Sequence, residues 1–333
     1  MATLKDIASR AKVSVATVSK FLNSKGSFSS TTEEKIREAI DFYNYHHKVR
    51  SNISDSNSNS LVKTVGLIIP DVENPFFSSI TKTLELLLFR YGYFLILCNS
   101  DNNLDLENNF FHYLANKAVN GIILITTNSF EQKIQQIPGI PLVLLDRKIE
   151  NLKISYVATD NKKGTKAATT YLIGINKNKI AFLGGRDELI TSKERLAGYL
   201  EALKEFSIPV DEELIIKGDF SYQGGYQAMS RLLRSEKSFD SVLAGNDIEA
   251  FGAIECLREA GIAVPDQVSI VGYDDIWLSK ISHPKLTTLH QPIFELCREA
   301  VNILLQSMKN PSMIVQRILE PELVIRESCK PGK

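Results

Sequence analysis

Polar side chains follow several predicted strands of this 333-residue chain. Each sugar hydroxyl both donates and accepts a hydrogen bond, so carboxylate, amide and guanidinium groups can bind it in paired, planar arrangements. Aromatic rings can cover the C–H faces of the sugar ring. The polar candidates are Asn74, Asp146, Arg147, Arg195, Asn246, Asp274 and Gln291, and the aromatic candidates are Phe76, Phe77 and Phe220. We predict that they bind a small polyhydroxylated molecule.

Each candidate also has a structural alternative. Asp or Asn after a strand often caps the next helix, and this applies equally to Asp160 and Asp247. An isolated arginine usually lies on a solvated face, and Phe77 could belong to the core. We expect ligand contact above all for Asn74, Phe76, Asp146, Arg147, Arg195, Asn246 and Asp274.

Motifs for catalysis or cofactor binding are not found. The pair Gly184-Gly185 lacks the Lys-Ser/Thr of a phosphate loop, and Gly224-Gly225 lacks the spacing of a dinucleotide fingerprint. The five histidines show no metal-binding or nucleophile spacing. We therefore predict a binding protein without cofactor or metal, and no enzyme.

Two series of alternating strands and helices would position the candidate residues. The predicted strands are 64–69, 93–98, 121–125 and 142–145 in the first series and 179–183, 214–217, 241–244 and 269–273 in the second. The helices between them are 76–91 and 104–117, then 162–172, 191–206, 224–233 and 249–260. Such series predict two doubly wound parallel sheets, with ligands bound at the carboxyl ends of the strands.

The first 23 residues are typical of a helix-turn-helix. Leu4, Ile7, Ala8 and Ala11 form one apolar face behind a cap at Thr3 and Asp6, and Ser14 can cap a second helix over 15–22. A third helix follows, capped by Ser29 or Ser30, with Ile36, Ala39, Ile40 and Tyr43 on its apolar face. A simple helical hairpin remains the alternative for the first two helices, but a third helix favours a separate all-α DNA-binding domain.

Charge and composition agree with this division. Residues 1–50 hold nine Lys or Arg and five Asp or Glu, a net charge of +4, and the remainder carries −4. The positive charge therefore concentrates phosphate attraction in the N-terminal module. Residues 51–60 contain five Ser and three Asn and predict a linker.

The four scattered cysteines, and the lack of a signal peptide or of an apolar run near the ~20 residues that span a bilayer, predict a cytoplasmic protein.

The N-terminal residues resemble the start of the LacI family of regulators, on Thr3-Leu-Lys-Asp-Ile-Ala, Val13-Ser, Ala16-Thr-Val-Ser-Lys-Phe-Leu-Asn23 and Ala39-Ile40. Residues beyond 60 resemble the effector domain of that family, which has the fold of periplasmic sugar-binding proteins. The markers occur in family order: Pro70-Asp-Val-Glu-Asn-Pro-Phe-Phe77, Leu145-Asp-Arg147, Thr159-Asp-Asn161, Lys193-Glu-Arg-Leu-Ala-Gly198, Asn246-Asp247, Val271-Gly-Tyr-Asp274 and Thr288-Leu-His-Gln-Pro292.

The resemblance implies a domain organisation and a set of DNA contacts. It places a DNA-binding domain at 1–48, a hinge at 49–61 and an effector domain at 62–330, whose lobes are about 62–160 plus 292–320 and about 161–290 plus 321–330. The implied DNA-binding residues are Thr3, Val15, Ala16, Thr17, Ser19, Lys20, Asn23 and, as a minor-groove wedge, Ile53. The family's tetramerising tail is missing, which implies a homodimer on a palindromic operator.

The resemblance also implies an effector. The ten candidate residues are similar, position by position, to the ligand set of ribose-binding proteins, which implies ribose or a similar sugar as inducer. A catabolite-control-type regulator with a protein or phosphorylated corepressor remains the alternative.

Overall fold

The computed structural model describes residues 3–22, 28–29, 31–33, 35–36, 39, 62–116, 119–129, 139–149 and 152–331. The chain divides into two compact units, residues 1–61 and 62–333. None of the helices within the described ranges has the length and apolar composition that a bilayer crossing requires.

The N-terminal unit packs short helices around one small core. Helices α1 (Leu4–Ala11) and α2 (Val15–Leu22) are followed by helical residues at 31–33, 35–36 and 39. The predicted caps are present: Thr3 and Asp6 form a capping box, and Ser14 Oγ accepts the Thr17 N–H at 3.0 Å. The core is formed by Ile7, Ala8, Ala11, Val18, Ile36 and Ala39. The helix-turn-helix module therefore has a hydrophobic core of its own.

The first sheet of the larger unit contains six parallel strands in the order β11-β5-β4-β3-β1-β2. These are β1 (Thr64–Ile69), β2 (Phe94–Asn99), β3 (Gly121–Leu124), β4 (Leu142–Leu145), β5 (Ser155–Thr159) and β11 (Gln316–Leu319), with helices α3 (Pro75–Arg90), α4 (Leu104–Asn116) and α9 (Ile293–Lys309). Val65, Leu67 and Ile69 pack into one core with α3 and α9, and Ile68 packs into another with α4. Both faces of this sheet are therefore covered, as a parallel sheet requires.

The second sheet has the order β12-β10-β9-β8-β6-β7, and only β12 is antiparallel to its neighbour. Its strands are β6 (Ile180–Gly184), β7 (Ile215–Lys217), β8 (Ser241–Ala244), β9 (Ser269–Asp274), β10 (Thr287–His290) and β12 (Glu322–Val324). The helices are α5 (Asn161–Gly174), α6 (Ile190–Glu205), α7 (Tyr222–Arg234) and α8 (Asp247–Glu259), with 3₁₀ turns at Glu212–Leu214 and Trp277–Lys280. The predicted fold class is confirmed.

The chain crosses between the two sheets three times. The crossings follow β5, β10 and β11, so that α9 and β11 complete the first lobe and β12 completes the second. The elements β5, α9, β11 and β12 were not among the predicted segments. Two lobes joined by three connecting segments can open and close as a hinge without separating.

Candidate functional site

One cavity between the lobes brings together all ten predicted ligand residues. It is lined by Asn74, Phe76, Phe77, Asp146, Arg147, Arg195, Phe220, Asn246, Asp274 and Gln291, together with Asp71, Asn102, Thr191, Asp219 and Ser221. Its volume is about 50 Å³. Because a cavity needs ~10–15 Å³ to hold each water, this one has room for about four waters and suits a small ligand.

Three of these residues adopt a left-handed backbone conformation where a strand ends. Asp146 after β4 has φ 64°, Phe220 has φ 70°, and Asp274 at the end of β9 has φ 109°. Positive φ is uncommon for residues other than glycine and persists where the surroundings enforce it, often at functional sites. The turns that carry two carboxylates and one aromatic ring are therefore held in fixed geometry.

The first lobe supplies the Asp146–Arg147 pair. Arg147 Nη1 donates to the Thr126 carbonyl at 2.9 Å, and its guanidinium lies 5.2 Å from the Phe77 ring centroid. Its Nε is 3.6 Å from Asp146 Oδ2, too long for a good hydrogen bond. Among the described residues, Arg147 Nε and Asp146 Oδ1 are buried and have no hydrogen-bond partner. Both residues line the cavity, so an unsatisfied acceptor and an unsatisfied donor belong to its wall.

The second lobe supplies Arg195, which is fixed on most of its edges. Its Nε donates to Asn161 Oδ1 at 2.8 Å and its Nη1 donates to the Gly245 carbonyl at 2.5 Å. The guanidinium stacks on Tyr273 at 3.6 Å from the ring centroid, and its Nη2 is 3.9 Å from Asp274 Oδ1. The remaining guanidinium edge and the Asp274 carboxyl can therefore both hydrogen-bond one ligand between them.

Burial disfavours the charged forms of the ionisable side chains that line the cavity. Burial raises the pKa of Asp274 to about 8, against the opposing effect of Arg195. Burial also raises the pKa of Asp146 and lowers the pKa of Arg147 to about 10. A ligand that donates hydroxyl groups to these carboxylates would stabilise their charged forms and release protons on binding.

The amide residues have two roles each. Asn74 caps α3 by accepting the Phe76 N–H at 3.0 Å, and Asn246 caps α8 by accepting the Glu249 N–H at 2.8 Å. Gln291 Nε2 donates to Asp274 Oδ1 at 2.8 Å, and its Oε1 accepts from Thr159. Asn74 and Asn246 therefore each cap a helix and also line the cavity, so the two alternatives do not exclude each other.

Two further alternatives are settled by the contacts. Asp160 caps α5, as considered, but Asp247 does not cap α8, because Asn246 has that role. The Asp247 carboxylate instead accepts hydrogen bonds from Ile276, Ser279 and Thr288. Phe77 belongs to the first-lobe core and lines the cavity as well.

Some residues that support the cavity were not predicted. Tyr273 lies under the Arg195 guanidinium, and Asn161 orients it. The buried Glu107 accepts from the Thr126 hydroxyl at 2.7 Å and from the Thr127 N–H, next to the carbonyl that holds Arg147. Asn161 and Tyr273 fall within quoted family markers, but Glu107 gives no signal apart from its place on a helix with buried Phe111 and Leu114.

Contacts across the cleft join the lobes around this cavity. The Ser129 N–H donates to the Glu188 carbonyl at 2.9 Å, and Arg186 Nη1 donates to the Asn102 carbonyl at 3.4 Å. Lys148 Nζ lies 2.6 Å from Glu194 Oε1. The lobes are therefore in contact on more than one side of the cavity, as in a closed cleft.

The predicted DNA-reading residues lie on the surface of the small unit. Val15, Ala16 and Lys20 are exposed on α2, whereas Thr17 and Ser19 are half-buried. The Thr17 hydroxyl lies 2.7 Å from Ser14 Oγ, and the exposed Thr3 hydroxyl donates to Asp6. Asn23 and Ile53 lie outside the described residues.

Both parts of the chain match known families. Residues 3–48 match "Bacterial regulatory proteins, lacI family", and residues 62–322 match "Periplasmic binding proteins and sugar binding domain of LacI family". The chain belongs to the LacI family. As a member, it is a DNA-binding transcriptional repressor and not an enzyme.

Individual LacI-family relatives carry different names. The chain is 33% identical to the "Ribose operon repressor" of Halalkalibacterium halodurans, over 100% of this chain and 98% of that protein. It is also 33% identical to the "HTH-type transcriptional repressor PurR" of Vibrio parahaemolyticus, over 99% of each. A LacI-family regulator from Enterococcus faecium "with bound ribose" superposes with a TM-score of 0.74 and 33% identity, over 81% of this chain and 100% of that one.

Replacing Lys20 tests the DNA-binding surface of this LacI-family repressor. Lys20 is an exposed point charge on α2, so Lys20→Ala should weaken operator binding and reduce the slope of log K against log salt by about one. The measurement is fluorescence anisotropy on a palindrome selected from random DNA, at several salt concentrations. Lys204→Ala, on α6 of the other unit, is the control. An unchanged slope in Lys20→Ala would remove Lys20 from the interface.

Proposed function

We propose that this repressor is controlled by a ribose-like monosaccharide, most directly D-ribose acting as inducer. The single observation that carries the proposal is that all ten predicted ligand residues line one small inter-lobe cavity. Unpartnered buried atoms on Asp146 and Arg147, among the described residues, supply both an acceptor and a donor. The relative named for the ribose operon and the structure with bound ribose support the same effector.

The proposed binding mode uses the charged residues for the vicinal hydroxyls. Asp146, Arg147, Arg195 and Asp274 hold them, and Asn74, Asn246 and Gln291 complete the hydrogen bonding. Phe76 and Phe220 lie against opposite faces of the sugar ring. A hexose adds a hydroxymethyl group, which Phe76 and Phe77 in the cavity wall should exclude.

Control of DNA binding follows from closure of the lobes. Ribose bound between the lobes favours the closed cleft, which shifts the lobes at a dimer interface and changes the spacing of the two DNA-binding modules. The hinge between these modules and the lobes is proposed at 49–61. By linkage, operator DNA must weaken ribose binding by the same factor by which ribose weakens operator binding.

The surface supports a homodimer on a palindromic operator. Strand β2 lies at the edge of the first sheet and leaves Phe94, Ile96 and Leu97 exposed. Leu86 and Phe89 of α3 are also exposed, and the Phe89 and Phe94 rings are in edge contact at 6.2 Å. An exposed apolar patch beside an unpaired strand edge marks a surface that another protein covers. We propose that a second copy of this chain covers it.

Calorimetry with a panel of ligands tests the effector assignment. D-ribose should bind the full-length protein and release it from the selected palindrome. D-glucose should bind ~10-fold or more weakly, which is the discrimination that size alone provides. A purine base and a sugar phosphate test the effectors of other regulator classes. Absence of ribose binding, or equal binding of glucose, would overturn the assignment, and a response to sugar phosphate alone would favour a catabolite-control type.

A further inference from the structure

Glu249 is a buried acid beside the sugar cavity to which no role has been assigned. It lies in the first turn of α8, and its side chain is completely buried. Its Oε1 atom accepts two backbone hydrogen bonds, from the N–H of Asp219 and from the N–H of Phe220, both at 2.9 Å. It therefore contacts the turn that carries an aromatic wall of the cavity.

The peptide groups of Phe220 are held from both sides by the start of α8. Glu249 accepts the Phe220 N–H, and Asn246 Nδ2 donates to the Phe220 carbonyl at 3.0 Å. Phe220 has φ 70°, a conformation that a residue with a side chain adopts only when its surroundings enforce it. These two hydrogen bonds supply such an enforcement.

The Phe220 ring is closely packed and has little room to move. A Cβ atom at Gly185 would lie 2.0 Å from Phe220 Cζ, so the ring packs directly on the Gly185 backbone. A Cβ at Gly245 would approach both the ring and Glu249 Oε2. The Arg195 guanidinium lies 5.4 Å from the ring centroid. A small change in the turn would therefore move the ring out of this position and change the cavity wall.

We infer that Glu249 is a positioning residue for sugar recognition: its carboxyl fixes the 219–220 turn so that Phe220 presents its ring to the effector. The inference rests on the proposed function only for the identity of the sugar. The acceptor oxygen is the part that matters, so Gln, which keeps an equivalent oxygen, should replace Glu, whereas Met, of similar length, should not.

The protonation state supports the choice of Gln. Burial raises the pKa of Glu249 to about 8, and its Oε2 has no hydrogen-bond partner among the described residues. At neutral pH the side chain is therefore largely an uncharged acid. The Gln side chain has the same size, is also uncharged and keeps an acceptor oxygen.

Ribose titrations of five variants test the inference. Glu249→Met should weaken ribose binding by ~10-fold or more and Glu249→Gln by less than ~3-fold, because only Gln retains the acceptor. Glu259→Met, on the exposed end of the same helix, is the matched control. Adding Glu249→Met to Phe220→Ala should cost little more than Phe220→Ala alone, because Glu249 acts through that ring. Additive losses, or equal losses in Gln and Met, would refute the inference.

Amide hydrogen exchange gives a readout that needs no sugar. The Asp219 and Phe220 amides should exchange slowly in the wild type and in Glu249→Gln, and much faster in Glu249→Met. The amides of the β-strands should exchange at unchanged rates in all three proteins. If ribose does not bind but this pattern is found, the effector assignment fails and the positioning role stands. Unchanged protection in Glu249→Met would overturn the positioning role itself.

Discussion

Asp274→Ala is expected to reduce ribose affinity by at least ~100-fold, because it removes hydrogen bonds to a charged group worth ~1.5–3 kcal/mol each. It also removes the carboxylate that lies 3.9 Å from Arg195 Nη2 and the acceptor for Gln291. Operator binding should persist, because Asp274 lies in the unit 62–333 and the predicted DNA-reading helix α2 lies in the unit 1–61. The variant should therefore repress without induction, as measured by calorimetry and by operator binding with ribose added.

The conservative variant Asp274→Asn separates charge from shape. Asn tolerates the positive φ of this position better than Ala and keeps one acceptor oxygen. Because the pKa of Asp274 is about 8 and a bound sugar should lower it, wild-type affinity should rise with pH toward about 8 and then level off. Asp274→Asn should lose this component of the pH dependence. Retained ribose affinity in both variants would exclude Asp274 from the site.

The sign of the stability change provides the folding control. A carboxyl whose pKa is about 8 when folded, far above its ordinary value, binds more protons in the folded than in the unfolded state. Its contribution to stability is therefore present at low pH and is lost as the pH rises toward 8. At pH 8 without sugar, Asp274→Asn should melt no lower than the wild type. A large drop in melting temperature would show that lost binding reflects unfolding.

Phe94→Glu is expected to convert the proposed dimer into monomers and to weaken operator binding by ~10²–10⁴-fold, the range lost when two linked binding events become independent. Phe94 is 55% exposed on the edge strand β2, so a charge there costs the monomer little but is buried without a partner in a dimer. Sedimentation and operator titration measure the two effects.

Phe206→Glu is the matched control for the dimer surface. Phe206 is another exposed aromatic residue, at the end of α6 in the second lobe. This variant should remain dimeric and bind the operator normally. If Phe94→Glu also stays dimeric, the proposed interface is wrong.

The elements that were predicted most accurately from the sequence are short strands with a continuous run of apolar residues. The strands 64–69, 142–145 and 241–244 were predicted with the observed bounds, because each is an apolar run between turn residues. Helix α9 was missed although Leu296, Ala300 and Leu304 recur at helical spacing. Strands β11 and β12 were missed because most of their side chains are exposed and their pairing depends on distant strands.

The composition of the cavity was predictable, but its geometry was not. Residues that follow parallel strands share one edge of a sheet, so Asp146, Phe220 and Asp274 could be placed at the cleft from sequence. Their positive φ angles could not, since nothing local requires them. The sequence also could not decide whether Asn246 or Asp247 caps α8. Asp247 accepts hydrogen bonds from Ile276, Ser279 and Thr288, which are distant in sequence and lie near it only in the folded chain.

The triple crossing between the lobes has a consequence for biosynthesis. The core of the first lobe includes Leu296, Ala300 and Leu304 of α9, so it stays incomplete until that helix leaves the ribosome. At ~5–20 residues per second, the roughly 150 residues that separate β5 from the end of α9 take about 10–30 s to synthesise. During this time the strands β1–β5 expose an apolar face in the cell. The nascent chain is therefore a candidate for chaperone binding. Most of the second lobe is synthesised before α9 completes the core of the first lobe.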